Sequence, residues 1–518
     1  MPAAMPARLR ATFYFALALS ALLLAGMACE RAAPEGLASS PQATSTGLPL
    51  VLLEPTRTPF PFLPPTRIPG EPVVSPTPDA PHPVPTLRSE SEQHIVQAGD
   101  SLGKIAIRYG ISLQQLIDAN QILNPDVIEV GILLEIPVPS PEYDAPNFKI
   151  IPDSELVYGP YSAHFDVKAF VKEHGGYLAS YSEKVDDIET KGFEIVQRVA
   201  NEYSVNPRLL LAVLEYQSGW LRKASPNERT LEYPLGVYDT WRSGLYLQLA
   251  YAANELNRGY YLWRAGALSA YILADGGVVP VSDRINAGTA GVQNLLSRLY
   301  GLGGWKEAVQ EDGLYATYLE LFGFPFDLAY EPLLPAGLEQ PRMQLPFEEG
   351  QSWSFTGGPH GGWADGSAWA ALDFAPPGEA LGCVMSSEWV VAIADGLIVR
   401  SENGAVVQDL DGDGFEQSGW TVLYMHIESR GRVEVGQYVQ AGERIGHPSC
   451  EGGFSTGTHL HLARRFNGEW IAADGDLPFV MDKWVSYGVG IEYDGYLIRN
   501  ARTVTAWNGR SPENQISR

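Results

Sequence analysis

Apolar and polar positions follow different patterns in successive parts of the chain. Residues 150–335 carry apolar side chains mainly at helical spacing. Residues 345–475 instead alternate short β-rich runs with Gly turns. We therefore predict a multidomain α+β protein, with a mainly α-helical middle domain at 150–335 and a compact antiparallel β-rich domain at 345–475. The pattern of residues 476–518 predicts no particular element, and we treat them as a C-terminal extension.

Residues 93–139 combine strand and helix patterns in one short unit. A short apolar strand leads into a Gly-Asp turn, after which Ser101 and Ser112 can each cap a helix. A second apolar strand at 131–136 is stopped by Pro137. The predicted order is βααβ, and the unit resembles the LysM module over its whole length. That resemblance implies binding to glycan that contains N-acetylglucosamine, as in peptidoglycan; the alternative is a small module without a ligand.

The N-terminus has the features of an export signal. Two arginines precede a continuous apolar run at 12–28, which is short for a transmembrane span, and Cys29 follows at once. Residues 26–29 resemble a bacterial lipobox. This implies that residues 1–29 are a signal peptide and that Cys29 carries the lipid of a membrane-anchored lipoprotein. An ordinary secretory signal and an uncleaved anchor are the alternatives, and all three place the rest of the chain outside the cytoplasm.

Composition further limits the possible domain organisation, partners and cysteine chemistry of the chain. Residues 30–92 are rich in Pro and Thr without an apolar period, which predicts a semi-stiff linker that buries no core. The whole chain has 518 residues, too many for one core, and its net charge of -25 argues against nucleic acid as a partner. Apart from Cys29, only Cys383 and Cys450 remain. In an oxidising compartment they favour a disulfide, with two buried free thiols as the alternative.

The candidate chemistry lies in the β-rich domain. His360 sits on a Gly-rich turn, Asp373 lies in an apolar strand, and His426 ends another apolar strand. His459 and His461 are two positions apart, so on a strand both imidazoles point to one face. A buried carboxylate with two or three imidazoles suits zinc with an open water position. The alternative is a set of core histidines whose polar atoms are satisfied.

These residues resemble the lysostaphin/β-lytic metallopeptidase family, as do the Gly-rich strand patterns around them over about 345–470. The resemblance implies that His360, Asp373 and His461 bind zinc and that His426 and His459 assist catalysis. It further implies a zinc metalloendopeptidase that hydrolyses peptide bonds of peptidoglycan cross-links. Many family members have the first His and the Asp closer together than here, and this wider spacing is nearer to the β-lytic branch.

An acidic loop in the same domain has two interpretations. Asp409, Asp411 and Asp413 resemble the start of a calcium loop, in which alternate carboxylates surround a hard cation. The twelfth position is Trp420, where such loops carry Glu. The segment is therefore either a calcium site or an acidic, solvated hairpin. Nearby His447 lies in a turn, and we expect it to be exposed and not to bind metal.

The helical domain carries one further candidate. The segment around Glu215 faintly resembles the helix that bears the catalytic Glu of lysozyme-like transglycosylases. That family has Ser directly after its Glu, whereas Tyr216 and Gln217 follow here. The alternative for Glu215 is a solvated or ion-paired surface group.

Two functions of different classes follow. In the first, the protein is a peptidase of the cell wall, held at its substrate by lipid, linker and LysM module. In the second, it is a non-catalytic activator of cell-wall amidases, because some proteins of this architecture have lost metal ligands. All five polar positions are present in this chain, which favours the enzyme.

Overall fold

A computed structural model describes residues 76–518, with gaps at 98, 141–142 and 379. The predicted signal peptide, Cys29 and most of the predicted linker lie outside the described residues. Within 76–518, apart from those gaps, no helix is both long enough and apolar enough to cross a membrane.

The first folded unit is a small βααβ module. Its strands β1 (Glu92–Ile95) and β2 (Leu133–Ile136) pair antiparallel around helices α1 (Leu102–Arg108) and α2 (Leu113–Asn120). The hydroxyl of Ser101 accepts the N–H of Lys104, and Ser112 forms a reciprocal cap with Gln115, which fixes both helix starts. The core of this module consists of Val96, Leu102, Ile105, Ala106, Ile111, Leu116, Leu134 and Ile136.

The middle domain is helical with two small hairpins. Its nine helices among the described residues are α3 (Asp153–Leu156), α4 (Val167–His174), α5 (Gly192–Tyr203), α6 (Pro207–Ser218), α7 (Arg229–Glu232), α8 (Leu245–Arg264), α9 (Ala287–Leu299), α10 (Leu302–Ala308) and α11 (Leu314–Phe322). The hairpins are β3 (Ser182–Val185) with β4 (Ile188–Lys191), and β5 (Ala270–Ile272) with β6 (Val278–Pro280).

Helix α6 is the centre of this domain. Asn206 caps it through the N–H of Arg208, and Pro207 occupies its first turn. Residues 209–214 are buried on all sides, as expected for a helix that is apolar all round. Helices α8 and α9 approach closely, because a Cβ at Gly259 would lie 2.6 Å from a backbone oxygen of α9. Only glycine fits at that crossing.

The β-rich domain is built on a nine-stranded antiparallel sheet. Its order is β13-β10-β11-β12-β15-β8-β7-β21, and β16 pairs with β15. The strands of this sheet and the small pair β9/β14 are β7 (Ser352–His360), β8 (Ala371–Ala375), β9 (Val390–Val391), β10 (Gly396–Glu402), β11 (Ala405–Asp409), β12 (Trp420–Met425), β13 (Tyr438–Val439), β14 (Arg444–Gly446), β15 (Leu460–Phe466), β16 (Glu469–Trp470) and β21 (Gln515–Ser517).

Residues 476–518 belong to this domain and do not form a separate extension. They supply a four-stranded antiparallel sheet of β17 (Val480–Met481), β18 (Trp484–Gly488), β19 (Gly495–Arg499) and β20 (Arg502–Thr505). Strand β21 then pairs with β7, with Ile516 opposite Trp353. Buried side chains from both sheets share one apolar core, so the C-terminal residues complete the fold that carries the candidate site.

The helical domain packs directly against the β-rich domain. The hydroxyl of Tyr261 accepts the N–H of Trp470 at 2.9 Å, and Ser204 donates its hydroxyl to Gly468 O at 2.6 Å. Asp365 forms an ion pair with Arg258 at 2.8 Å. These side-chain contacts hold α5 and α8 beside the turn between β15 and β16 and the loop between β7 and β8.

The end of the predicted linker is also docked. The backbone N–H groups of Asp79 and His82 donate to Arg284 O and Asp283 O, both at 2.7 Å. The ring of His82 lies 4.6 Å from that of Trp263. The end of the predicted linker at residues 79–82 therefore has specific partners on the helical domain.

Glu469 makes the contact between the two domains sensitive to pH. Its carboxylate pairs with Arg264 at 3.1 Å, while Oε2 is buried without a hydrogen-bond partner. Burial raises the pKa of this carboxyl from 4.5 to about 7, although Arg264 opposes the shift. A raised pKa in the folded state contributes stability below the unfolded pKa, and this contribution is lost as the pH rises through about 7.

Replacing Glu469 by Gln is therefore expected to flatten the dependence of stability on pH. Between pH 5 and 8.5 the wild type should lose about 2–3 kcal/mol more unfolding free energy than the variant, from the size of the shift. Urea unfolding at a series of pH values measures this difference. Equal pH dependence in both proteins would show that Glu469 is not the group that titrates.

Candidate metal centre

Three neighbouring strands bring the proposed metal ligands together. His360 is the last residue of β7, Asp373 lies in the middle of β8, and His461 lies near the start of β15. Strand β8 runs between the other two, and His461 is the direct cross-strand partner of Asp373. All three side chains are buried. Residues 101 positions apart in sequence are thus placed side by side by strand pairing.

The ligand atoms converge on one point. Asp373 Oδ1 lies 3.2 Å from His360 Nε2 and 3.3 Å from His461 Nδ1. The two imidazole nitrogens are 3.0 Å apart. Burial opposes ionisation of Asp373, yet the neighbouring imidazoles of His360 and His459 hold the pKa of its carboxyl well below the ordinary value. The centre therefore contains a carboxylate, not a carboxylic acid.

Backbone carbonyls set the ring tautomers. His360 Nδ1 lies 2.8 Å from Gly358 O, and His461 Nε2 lies 3.1 Å from Gly362 O. Because a carbonyl can only accept, we assign the ring proton to those two nitrogens. The lone pairs of His360 Nε2 and His461 Nδ1 then face Asp373. Carbonyl groups commonly hold metal-binding imidazoles in this way.

This arrangement fits a zinc ion. Three acceptor atoms face one another at about hydrogen-bond distance, and Asp373 Oδ1 is buried without a hydrogen-bond donor. A bound cation would supply the partner that this buried oxygen lacks. Two imidazole nitrogens and one carboxylate oxygen are the donor set of a catalytic zinc site that keeps a position open.

His426 and His459 lie beside this centre without joining the ligand set. Their rings are 4.5 Å apart, and His459 Nε2 is 3.7 Å from Asp373 Oδ1. The Nδ1 atoms of His426 and His459 contact Glu451 O at 3.0 Å and Gly457 O at 2.7 Å. Their Nε2 atoms are therefore free to exchange protons in the site. The structure thus brings together all five polar residues that the sequence singled out.

His426 is held in an uncommon conformation. It follows β12 with φ of 64°, in the left-handed region that a side chain rarely adopts. Its carbonyl accepts both the N–H and the hydroxyl of Ser449, at 2.7 and 3.0 Å. Burial, followed by the neighbouring His459 and His461, lowers the pKa of His426 to about 3. The ring is thus neutral and has an acceptor nitrogen.

A disulfide fastens the loops around these two histidines. Cys383 and Cys450 are joined, with their Cα atoms 5.7 Å apart. Ser449 and Glu451, on either side of Cys450, hold His426. Ser455 lies 3.3 Å from both Cys450 Sγ and His459 Nδ1. The bridge thus fixes the loop that carries the hydrogen-bond partners of both rings.

The centre opens into a cavity of about 760 Å³ between the two large domains. The helical domain contributes Arg198, Tyr203 and Tyr246 to its wall, opposite His360 and His461. The remaining lining residues are Asp186, Glu202, Gly361, Trp363, Ala364, Asp365, Asn403, Gly404, Met425, His426, Glu451, Gly452, Gly453, Phe454, Glu492 and Tyr493.

Tyr493 is a site residue that the sequence did not reveal. Its ring stacks on that of His360, with centroids 4.3 Å apart. Its backbone bonds to β7 in both directions, accepting the N–H of Gly358 at 2.7 Å and donating to Pro359 O at 3.1 Å. No local motif marks a residue of the C-terminal region that reaches the centre through backbone pairing.

Glu215 lies elsewhere and is fully engaged. Its side chain is buried, and it does not line the cavity around the metal centre. One oxygen pairs with Arg222 at 2.7 Å, and the other accepts the N–H of Leu221 at 2.9 Å. An ion-paired carboxylate with these partners has a structural role, so we do not carry the glycosidase interpretation further.

The acidic loop and His447 also lie apart from the metal ligands. The carboxylates of Asp409, Asp411 and Asp413 lie within 4.8 Å of one another. Burial, and then Asp411, raise the pKa of Asp409 to about 8. The prediction that His447 is exposed was wrong. Its ring is buried 3.8 Å from that of Trp389, and its Nδ1 bonds to Glu388 O at 2.7 Å.

Comparison with known proteins identifies three domain families in the chain. The models of the LasA N-terminal domain, the LysM domain and peptidase family M23 match residues 149–333, 94–137 and 377–473. The chain is 30% identical over 349 residues to "Protease LasA" of Pseudomonas aeruginosa, which covers 62% of this chain and 75% of the relative. His360 and Asp373 lie before the residues that the peptidase model matches.

Three of the solved structures that are similar to parts of this chain are described as proteases or peptidases. The deep-sea metalloprotease pseudoalterin is 25% identical and covers 35% of this chain and 99% of its own, with a TM-score of 0.29. The catalytic domain of lysostaphin from Staphylococcus simulans is 28% identical and covers 24% and 89%, with a TM-score of 0.18. A zinc-containing peptidase from Vibrio cholerae is 23% identical and covers 27% and 41%, with a TM-score of 0.19.

Proposed function

This chain belongs to the Protease LasA family of M23 metallopeptidases, and on that basis we propose that it hydrolyses peptide bonds in the cross-links of peptidoglycan. The observation that carries the proposal is the convergence of His360 Nε2, Asp373 Oδ1 and His461 Nδ1 on one point. The LysM domain matched at 94–137 supports a cell-wall substrate, because it supplies a glycan-binding module in the same chain.

The residues of the centre divide the chemistry between them. His360, Asp373 and His461 would hold a zinc ion, which when bound polarises a carbonyl group and acidifies a coordinated water molecule. His426 and His459 each present an Nε2 atom whose ring orientation is fixed by a backbone carbonyl. His426, whose pKa is lowered to about 3, is suited to orienting the attacking water through its acceptor nitrogen, and His459 to moving the proton from that water to the leaving amine.

The intact set of metal ligands also favours hydrolysis over a purely regulatory role. The activator of amidases, our second interpretation, has no need of an intact ligand set, whereas every ligand and both assisting histidines are present and oriented here. The proposal is tested with purified full-length protein and isolated sacculi. We expect about one zinc per chain and the release of new amino groups from the sacculi.

Other results would overturn this proposal or support a different function. A protein that holds zinc but releases no amino groups, either from sacculi or from soluble muropeptides, is not a peptidoglycan peptidase. If it instead accelerates a cell-wall amidase added to the same sacculi, the regulatory interpretation is correct. Release of reducing sugar ends without new amino groups would indicate glycan cleavage.

Membrane anchoring through Cys29 is a further part of the proposal. The lipobox-like residues 26–29 support it, and an anchor at the end of a long linker would confine the enzyme near the cell wall. Fractionation of cells that produce wild type or Cys29→Ser tests this. We expect the wild type with the membranes and the variant in the soluble extracytoplasmic fraction; equal distributions would indicate an ordinary secretory signal.

Calcium binding to the acidic loop is the last part of the proposed function. The alternate carboxylates of Asp409, Asp411 and Asp413 support it, and a bound cation would order the turn between β11 and β12. Calcium should then raise the melting temperature of the wild type and not of Asp411→Asn. An equal response of both proteins would leave the loop as a solvated hairpin.

A further inference from the structure

The C-terminal sheet carries three exposed aromatic side chains that the metal chemistry does not use. Tyr487 of β18 and Tyr496 of β19 are direct cross-strand partners, and Trp507 comes two residues after Thr505, the partner of Tyr496 on β20. Alternate residues of a strand share a face, and the alternation continues past β20, with Thr505 exposed, Ala506 buried and Trp507 exposed. The three residues therefore lie on one side of the sheet. The opposite side is the buried one, with Met481, Trp484, Ser486, Leu497 and Val504.

We call these three residues the aromatic row. Tyr487, Tyr496 and Trp507 are 48%, 36% and 55% exposed. The other outward positions within these strands are uncharged: Val485, Ile498, Thr503 and Thr505. Asp494, two residues before Tyr496, is an exposed carboxylate beside the row. Across three strands the row spans about 10 Å. Exposed aromatic side chains that share one face are typical of a binding surface.

A short connection joins the aromatic row to the lining of the catalytic cavity. Strands β18 and β19 are joined by residues 489–494, and Tyr493 in that connection stacks on His360. Tyr496 is three residues further on, a distance of at most about 10 Å. The backbone N–H of Ala506 donates to Gly495 O at 2.9 Å, which places Trp507 beside the same end of the hairpin. The row and the cavity thus share the β18–β19 hairpin.

We propose that the aromatic row is a subsite for the saccharide chain that carries the peptide being cleaved. This inference rests on the proposed function, because a peptide of peptidoglycan that enters the cavity brings its glycan strand to the adjoining surface. The apolar C–H face of a pyranose ring packs on a flat aromatic ring, while its hydroxyl groups stay in water. The Tyr hydroxyls and the Trp N–H supply polar groups at the rim.

The chemistry of the face selects this ligand over others. A neutral glycan needs no opposite charge, in agreement with the uncharged outward residues within β18, β19 and β20. The row lies on a different domain from the LysM module, so the two would hold the same strand at separate points. Two contacts on one chain raise the effective concentration of the second, which favours retention on an insoluble polymer.

The first test compares substrates with and without glycan, using the full-length protein. The variants are Tyr487→Ala/Tyr496→Ala and Trp507→Ala, and the matched control is Trp241→Ala, an 85% exposed aromatic of the helical domain. On intact sacculi, the half-saturating substrate concentration should rise about tenfold for the double variant. On peptides freed from glycan by an amidase, all proteins should have the same kcat and KM.

The second test measures binding without catalysis. Zinc-free full-length proteins are titrated with glycan strands from which the peptides have been removed. The LysM module contributes equally in every protein, so weaker binding by the double variant reports on the row. The variant Tyr487→Phe/Tyr496→Phe should bind nearly as well as the wild type, because it keeps both rings. A thermal melt of the Ala double variant shows whether weaker binding results from misfolding.

The outcomes separate this inference from the proposed function. If the wild type cleaves neither substrate but the double variant still binds glycan strands more weakly, only the proposed function fails. If glycan binding is equal in wild type and double variant, the subsite is overturned even when cleavage is observed. A variant that loses binding to phosphatidylglycerol vesicles, or loses self-association, with glycan binding unchanged, also overturns it.

Discussion

Replacing Asp373 by alanine is expected to lower peptide hydrolysis by at least about a thousandfold and to remove zinc from the purified protein. Asp373 occupies the middle of the three ligand strands, and its Oδ1 lies 3.2 and 3.3 Å from the ligating nitrogens of His360 and His461. Without the carboxylate, two neutral imidazoles remain, which bind a divalent cation far more weakly. Elemental analysis and amino-group release measure the two effects.

We also expect Asp373→Ala to change the melting temperature of the protein in the absence of metal. The lowered pKa of Asp373 shows that the neighbouring imidazoles stabilise its ionised form in the folded protein, so removal of the carboxylate removes a stabilising interaction. Metal-free Asp373→Ala should therefore melt below the metal-free wild type, and added zinc should raise the melting temperature of the wild type only. His447→Ala, which removes a buried imidazole of the same domain, serves as control and should keep its zinc. Retention of zinc by Asp373→Ala would contradict the ligand assignment.

Part of this centre could be predicted from sequence because part of it is local. Two histidines two positions apart on a strand must share a face, and His461 does point toward Asp373. The order of strands has no such local signature. Nothing in the spacing of His360, Asp373 and His461 says that β8 lies between β7 and β15, and the resemblance to a family supplied the complete ligand set.

The features that the sequence missed depend on contacts between distant segments. Tyr493 reaches His360 because its backbone pairs with Gly358 and Pro359, 135 and 134 positions earlier in the chain. His447 is buried because Trp389 covers it, although its own neighbourhood reads as an exposed turn. Likewise Glu215 is neutralised by Arg222, one turn beyond the end of its helix. In each case the partner, and not the local pattern, decides the outcome.

Variants of the two assisting histidines should distinguish an effect on proton transfer from an effect on metal binding. Replacing His426 by alanine is expected to lower kcat about 10²- to 10⁴-fold while zinc content and KM stay near the wild-type values. The reason is its position. Its ring centroid lies 6.1 Å from that of His461, and Nδ1 is held by Glu451 O, so it contributes no ligand to the metal. Steady-state kinetics on a soluble cross-linked muropeptide, with zinc analysis of the same samples, measures both quantities.

The combined loss of His426 and His459 gives the sharper result. Because their ring centroids are 4.5 Å apart beside the metal ligands, we expect the two histidines to act on the same proton transfers. Residues that act as a unit are strongly non-additive, so His426→Ala/His459→Ala should lose much less than the product of the single losses. Multiplicative losses would mean that each ring serves a separate step. Loss of zinc from His426→Ala, with His447→Ala intact, would instead make His426 a fourth ligand and close the position that a catalytic zinc must keep open.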